Sequence, residues 1–536
     1  MESVARQRQT TSTTAQNEKT GGDVSRLERG ESALDDGNAR TRHSPADENS
    51  VDPKDENEPP LTKSSRFKEF NRRLRGKHLE RIPTVLESLI ATFRQSWLNL
   101  ALVFVVLSWV SHFAQWDERA IFVLSFLALI PLEKLLQFVS HQSMLYLGHS
   151  VGDLVNITLM NAIEAILAIL LLRRDCELKL LQSTIIGVIL LQLLLVPGVM
   201  FLAGGTRIKH QELHLSQTQL NQSMMTMGVM CMVIPAAYFA GVTKIGATSV
   251  ATIVTDDFRD QMLKISRGMA IIMLLVYIGS RIYLVNPPGE DNAMDVYAAA
   301  GGHEAFREAE ENLKTESPKI GPWFCFFLLI VLVAIIAVTA EWLVHSIEFV
   351  RHSAKINEEW FGLVLLPLVS FSGDGIITFS YAFRKVFFHH GKEAHPLADA
   401  KPIDLSIQFA LFWTPLLVLI GWWTNKPLPL LFDIFEIVIL VAAVFVVNYI
   451  TADAKTNWAE GWMMICFFAI IALVAWFYPG QEYMEVFFPC VLAASEGGHG
   501  TTGEAVTEGA TTASGEAAAA ATTSHAATSE GHKFFF

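Results

Sequence analysis

Asn156-Ile157-Thr158-Leu159-Met160-Asn161-Ala162-Ile163-Glu164 stands inside an otherwise apolar stretch, residues 151–172, and this stretch decides how the chain is read. Amides and carboxylates at membrane depth are costly to bury, so by default they mark function. Asn161 and Glu164 are three residues apart and share one helix face. Together they offer an amide oxygen and a carboxylate to a cation. The plainer reading is a polar pair that joins helices by hydrogen bonds. A matching signal lies in the second half at Gly362-Leu363-Val364-Leu365-Leu366-Pro367-Leu368-Val369-Ser370-Phe371-Ser372-Gly373-Asp374-Gly375, where Asp374 is the acid and Pro and Gly loosen the helix. Two interrupted helices in corresponding places point to a midplane binding site where two repeats meet.

The residues around these two stretches supply the membrane. Of 536 residues, 51% are hydrophobic and 18% charged, and the mean hydropathy is +0.33 although both ends are polar. A helix needs roughly 20 mostly apolar residues to cross a bilayer. Such runs occur at 96–114, 119–139, 151–172, 181–204, 220–242 and 268–286, then at 321–345, 360–382, 406–424, 430–451 and 460–479. The fold expected is therefore an all-α polytopic membrane protein of about eleven transmembrane helices. Residues 1–82 form an N-terminal tail, read as disordered from its polar composition. Its basic end, with Lys63, Arg66, Lys68, Arg72, Arg73, Arg75, Lys77 and Arg81, places it in the cytosol by the positive-inside rule. No signal peptide precedes the first span, which is left to direct insertion.

Residues 287–320 carry Glu304, Glu308, Glu310 and Glu311 at helix-compatible spacing and read as a cytosolic linker between the helices of 96–286 and those of 321–479. Residues 480–536 are a low-complexity tail. The net charge of -13 owes much to tail acids such as Asp47, Glu48, Asp52, Asp55, Glu56 and Glu58 and says little about the ligand. The five cysteines, Cys176, Cys231, Cys325, Cys466 and Cys490, have no metal-ligand spacing. No HExxH, GxSxG or P-loop pattern occurs, so no enzyme, no cofactor and no nucleic-acid partner are expected.

The segment from Ile130 to Pro479 resembles the vacuolar calcium/proton exchangers, cation/proton antiporters of the sodium/calcium exchanger superfamily. The resemblance rests on Phe361-Gly362-Leu363-Val364-Leu365-Leu366-Pro367-Leu368-Val369, Ser266-Arg267-Gly268, Ala340-Glu341-Trp342-Leu343-Val344, Ser406-Ile407-Gln408 with Thr414-Pro415, and Asn448-Tyr449-Ile450-Thr451-Ala452-Asp453 with Asn457-Trp458-Ala459-Glu460-Gly461. The family's signature repeats, Gly-Asn-Ala-x-Glu, stand here as Met160-Asn161-Ala162-Ile163-Glu164 and Ser370-Phe371-Ser372-Gly373-Asp374. The first has lost its Gly. The second has lost the Asn to Phe371 and shortened the Glu to Asp374. Where the family carries acids, this chain shows His141, Gln142, His149 and His345, and where it carries a Gly-Ser and Ser-Asn pattern, this chain has Gly187-Val188 and Leu191-Gln192.

The resemblance implies a lone first helix followed by two inverted five-helix repeats, and a site that alternately carries a proton or a cation, calcium or another, across the vacuolar membrane. Carried over residue by residue, it makes Glu164 and Asp374 the exchanging acids, with Asn161, Gln408 and Ser406 as coordinating groups. It places Asn156 and Glu341 along the pathway and makes His141, His149, His345 and Phe371 retuned positions. Calcium takes six to eight oxygens, so these losses imply a weakened calcium site. The alternative is a transport-silent homologue acting as a membrane sensor or regulatory partner.

Overall fold

The computed structural model describes residues 83–95, 97–147, 149–174, 177–205, 211–213, 215–243, 255–285, 318–369, 371 and 401–481. All belong to one compact unit, Thr62–Phe536. Residues 1–82, the linker residues 287–317, Asp374 and residues 482–536 lie outside the described residues.

The chain opens with α1 (Val85–Arg94), started by a capping box in which the Thr84 hydroxyl takes the Glu87 amide and the Glu87 carboxylate takes the Thr84 amide. A 3₁₀ turn, Trp97–Leu102, leads into α2 (Val103–Phe113). Then follow α3 (Glu118–Leu147), α4 (His149–Met160), α5 (Ala162–Arg173), α6 (Leu178–Leu190) and α7 (Val196–Gly205). After α8 (Leu215–Thr243) and α9 (Asp256–Val285) come α10 (Pro322–Ala354) and the single turn α11 (Glu358–Trp360). The described chain closes with α12 (Lys401–Gln408), α13 (Thr414–Trp423), α14 (Ile434–Ile450) and α15 (Trp458–Phe477). One antiparallel two-residue pairing, β1 (Gln211–Glu212) with β2 (Lys455–Thr456), ties two connecting loops and departs from a purely helical expectation.

Among the described residues, seven helices are long and apolar enough to cross a membrane, and up to nine if two bent pairs each count as one span. That is fewer than the eleven expected, for identifiable reasons. The eighth expected span, 360–382, is described only through Val369 and at Phe371. The tenth, 430–451, is a helix of 17 residues because Asp433 caps it by taking the Phe435 amide at 2.7 Å. The expected 119–139 and 268–286 are longer than their apolar stretches, running to Leu147 and starting at Asp256.

Three spans contain a wide π turn, at Leu191–Leu195, Phe361–Leu365 and Phe409–Trp413. Each is centred four residues before a proline: Pro197, Pro367 and Pro415. A proline ring clashes with the carbonyl four residues back and removes one helical hydrogen bond. An inserted residue relieves both.

The first half packs into the second through glycine. A Cβ at Gly187 would stand 2.4 Å from the Leu363 carbonyl oxygen, and one at Gly362 would stand 2.7 Å from the Ser183 Cβ, so α6 and the 361–365 turn cross backbone to backbone. Helices α3 and α10 run antiparallel. The late α3 residues Gln142 and Tyr146 bond Lys319 and Ile320 just ahead of α10, while Arg119 at the start of α3 bonds Ser353 near the end of α10.

Candidate functional site

The apolar span that carries Asn161 is broken there. Helices α4 and α5 meet at a 55° bend, and Asn161 sits at the break with φ -96° and ψ 14°. Its carboxamide is held from three sides. Its Nδ2 donates to the Leu405 carbonyl at 3.1 Å and to Gln408 Oε1 at 2.8 Å, and its Oδ1 accepts from Gln192 Nε2 at 2.9 Å. Gln408 Nε2 donates in turn to Thr158 Oγ1 at 3.2 Å. Asn161 and Gln408 are fully buried. Asn161 is thus a knot joining α4, the α6–α7 span and α12, with its oxygen already engaged. The amide oxygen left over is Gln192 Oε1, buried with no hydrogen-bond partner among the described residues.

Glu164 lies in the first turn of α5, where the N-terminal end of a helix favours a negative charge, and it is buried. It lines a cavity of about 50 Å³ together with Glu133, Gln137, Gln192, Lys401 and the apolar Met160, Leu191 and Leu405. A water needs roughly 10–15 Å³ of such space, so the cavity admits a small ion together with some of its hydration. Among the described residues, two carboxylates and the Gln137 and Gln192 amide oxygens bring six side-chain oxygens to it, of which Gln137 Oε1 already accepts from Lys134 Nζ at 2.9 Å, against the six to eight that calcium takes. Lys401 brings a positive charge to the same wall.

Other residues expected at the site sit elsewhere or have other partners. Asn156 is buried, and its Oδ1 accepts from Ser140 Oγ at 2.8 Å, which ties α4 to α3. The Ser406 hydroxyl donates to its own helix at Ile403 O, 2.6 Å away. Glu341 is exposed and lines a separate groove of about 260 Å³ with Arg173 and Arg174. His345 is exposed, 4.0 Å from Glu118. His141 is half-buried on α3, and His149 opens α4. Phe371 is half-buried against the apolar core and does not line the cavity.

Glu133, Gln137 and Lys401 were missed in the sequence, and Gln192 was noted only as a departure. The available signal was Glu133 itself, an acid within the apolar run of α3.

Comparison with known proteins agrees with this architecture. The sequence pattern of the family described as sodium/calcium exchanger protein matches residues 118–285 and 324–477. A vacuolar calcium ion transporter of Schizosaccharomyces pombe is 30% identical, with 72% of this chain and 85% of the relative covered. A vacuolar calcium ion transporter of Cryptococcus neoformans is 29% identical over 76% of this chain and 77% of its own. A Ca(2+)/H(+) antiporter of Synechocystis is 29% identical, covering 70% of this chain and 96% of that one. The solved structure of native YfkE superposes with a TM-score of 0.51 at 21% identity, over 71% of this chain and 99% of its own, and so shares the fold. With more than half its length matched, the chain belongs to the sodium/calcium exchanger protein family.

Proposed function

We propose that this protein is a secondary active antiporter that exchanges a cation, calcium or another, for protons across the vacuolar membrane. The observation that carries the proposal is the buried Glu164 carboxylate in a cavity beside a helix break, with Gln192 Oε1 unengaged next to it. One carboxylate can hold a proton or a cation but not both at full strength, and that exclusion is what couples opposite fluxes. Glu164 is the exchanging group, with Glu133 and Gln192 completing the described wall. Asn161 and Gln408 orient Gln192 through their hydrogen bonds, and Ser406 shapes α12. Asp374 is the partner acid from the second half. Asn156 and Glu341 keep their proposed places along the pathway, and His141, His149, His345 and Phe371 their proposed places as retuned positions. The names of the vacuolar calcium transporters and Ca(2+)/H(+) antiporters among the relatives favour the cargo and the organelle.

The same proposal includes eleven spans: a lone first helix and two inverted five-helix repeats, with the N-terminus in the cytosol. Each bent pair supplies one span, 358–371 begins the eighth, and the 17 residues of α14 reach about 25 Å. In support, the π turns at 191–195 and 409–413 fall in the fourth and ninth spans, and each carries or follows a glutamine bonded to Asn161. Protease digestion of sealed vesicles should cut the N-terminal tail and the 287–320 linker from one face and the C-terminal tail from the other.

The deciding experiment is proton flux from vesicles holding the purified full-length chain, scanned across calcium, manganese, sodium and potassium. Flux with one or more cations is the expected result. Silence with all four overturns antiport and supports the sensor or regulatory reading, which the presence of Lys401 in the cavity favours.

A further inference from the structure

Arg281 on α9 and Asp404 on α12 form a buried two-point ion pair. Arg281 Nη2 meets Asp404 Oδ1 at 2.6 Å and Nη1 meets Oδ2 at 3.2 Å, with side chains 12% and 7% exposed. The guanidinium also lies over the Tyr277 ring, 4.9 Å from its centre, and feels the charge of Asp153 on α4. This pair is held by the same helix, α12, that supplies Lys401, Pro402 and Leu405 to the cavity wall. Asp404 directly precedes Leu405, which lines the cavity and whose carbonyl takes the Asn161 amide. It is also four residues before Gln408, on the same face of α12. A buried carboxylate here would be a ligand for a cation in its own right, and Arg281 already neutralises it.

We propose that Arg281 is a specificity-determining residue of the exchanger, a tethered positive charge that keeps Asp404 from joining the cation site and so sets the site against divalent ions. This rests on the antiport reading above. With Asp404 cancelled and Lys401 opposing Glu133 and Glu164, the described site keeps little net negative charge. A doubly charged ion needs more opposing charge than a singly charged one to offset its lost hydration, so the preference turns on Asp404. The planar fork of Arg281 holds both carboxylate oxygens, a fit that an ammonium cannot reproduce.

The readout is the ratio of calcium to potassium effectiveness, taken both as KM for cation-driven proton flux in vesicles and as cation-induced thermal shift of the purified full-length protein. Arg281→Gln, which leaves the Asp404 carboxylate open, should move the ratio toward calcium by tenfold or more. Arg281→Lys should move it less. Asp404→Asn leaves the positive charge in place and should move the ratio threefold or more toward potassium, and its isosteric side chain keeps the test open if Arg281→Gln fails to fold. A purely structural clasp would lower the melting temperature of these variants with no change in ratio, and an unchanged ratio in Asp404→Asn overturns the inference. A wild-type protein without flux whose thermal-shift ratio still moves in opposite directions in the two variants would overturn antiport and support the inference. No thermal response to either cation in any variant overturns the inference.

Discussion

Glu177 offers a test of how burial at one end of the bundle is felt in solution. It stands just before α6 without a side-chain capping bond, is buried, and has one carboxylate oxygen without a hydrogen-bond partner. Burial is the main influence and raises its pKa from 4.5 to about 7. The Arg351 and Arg174 cations pull it down, and Glu358 and Glu348 push it up. Glu358 is bound to Arg351 at 2.7 Å, so that cation is shared. The sign follows from which state holds the proton. Below about 4.5 both the folded and unfolded chains hold it, and Glu177 contributes no pH dependence. Between 4.5 and 7 the folded chain binds more protons than the unfolded one, so stability falls as pH rises, and above 7 the loss is complete. At 1.36 kcal/mol per pKa unit the full loss is about 3 kcal/mol. Glu177→Gln removes it. The full-length variant in detergent should match the wild type at pH 4.5 and exceed it at pH 8 by on the order of 3 kcal/mol, read from denaturant or thermal unfolding at both pH values. Parallel pH profiles for the two proteins would refute the reasoning. On the proposed topology this end faces away from the cytosol, and an acidic pH on that side would keep the Glu177 proton in place and the loss smallest.

Glu164→Gln should reach the membrane, because an amide satisfies helix contacts about as well as a carboxyl, yet lose all cation-dependent proton flux; retained flux would remove Glu164 from the exchange. Gly187→Ala places a methyl group where only 2.4 Å separates it from the Leu363 oxygen. It should destabilise the fold by about 1–3 kcal/mol or more, seen as a lower melting temperature with loss of flux, whereas the same change at Gly279, with open space around it, should be silent. Phe371→Asn would restore the family's amide, but the ring packs on the apolar core. Its expected result is destabilisation by about 1–3 kcal/mol from an unsatisfied amide, and a gain in calcium exchange at equal abundance would show that the side chain faces the pathway instead.

Charge and hydropathy in the sequence were enough to find the seven helices of membrane length among the described residues and to single out Asn161 and Glu164, because both signals are local: an apolar run of membrane length, and a polar pair inside one. They could not reveal what a side chain does with its hydrogen bonds. Ser406 looked like a ligand by position, yet its hydroxyl closes on Ile403 of its own helix. Glu341 matched the family's seventh-span acid, and no spacing showed that it lines a groove with Arg173 and Arg174. Lys401 and Glu133 come together from segments far apart in the chain, and Arg281 finds Asp404 across 123 positions. No spacing rule reaches such pairs.

Gln192 shows the other reason. An α-helix turns each residue by about 100°, and periodicity read straight through 181–204 assumes that turn throughout. The wide turn at Leu191–Leu195 inserts one residue, so every side chain beyond it is rotated by about one position relative to the face of α6. The face on which Gln192 meets Asn161 therefore cannot be deduced from the apolar stripe of Leu178–Leu190. The prolines were the legible clue. Pro197 and Pro415 each stand four residues after the centre of a wide turn in spans that supply a glutamine to Asn161, and Pro367 does the same where 361–365 crosses Gly187. Pro197, Pro367 and Pro415 thus mark places where regular periodicity stops, unlike Pro131 and Pro235, which stand inside unbroken α-helices, and at Pro197 and Pro415 polar groups from different spans are turned toward one another.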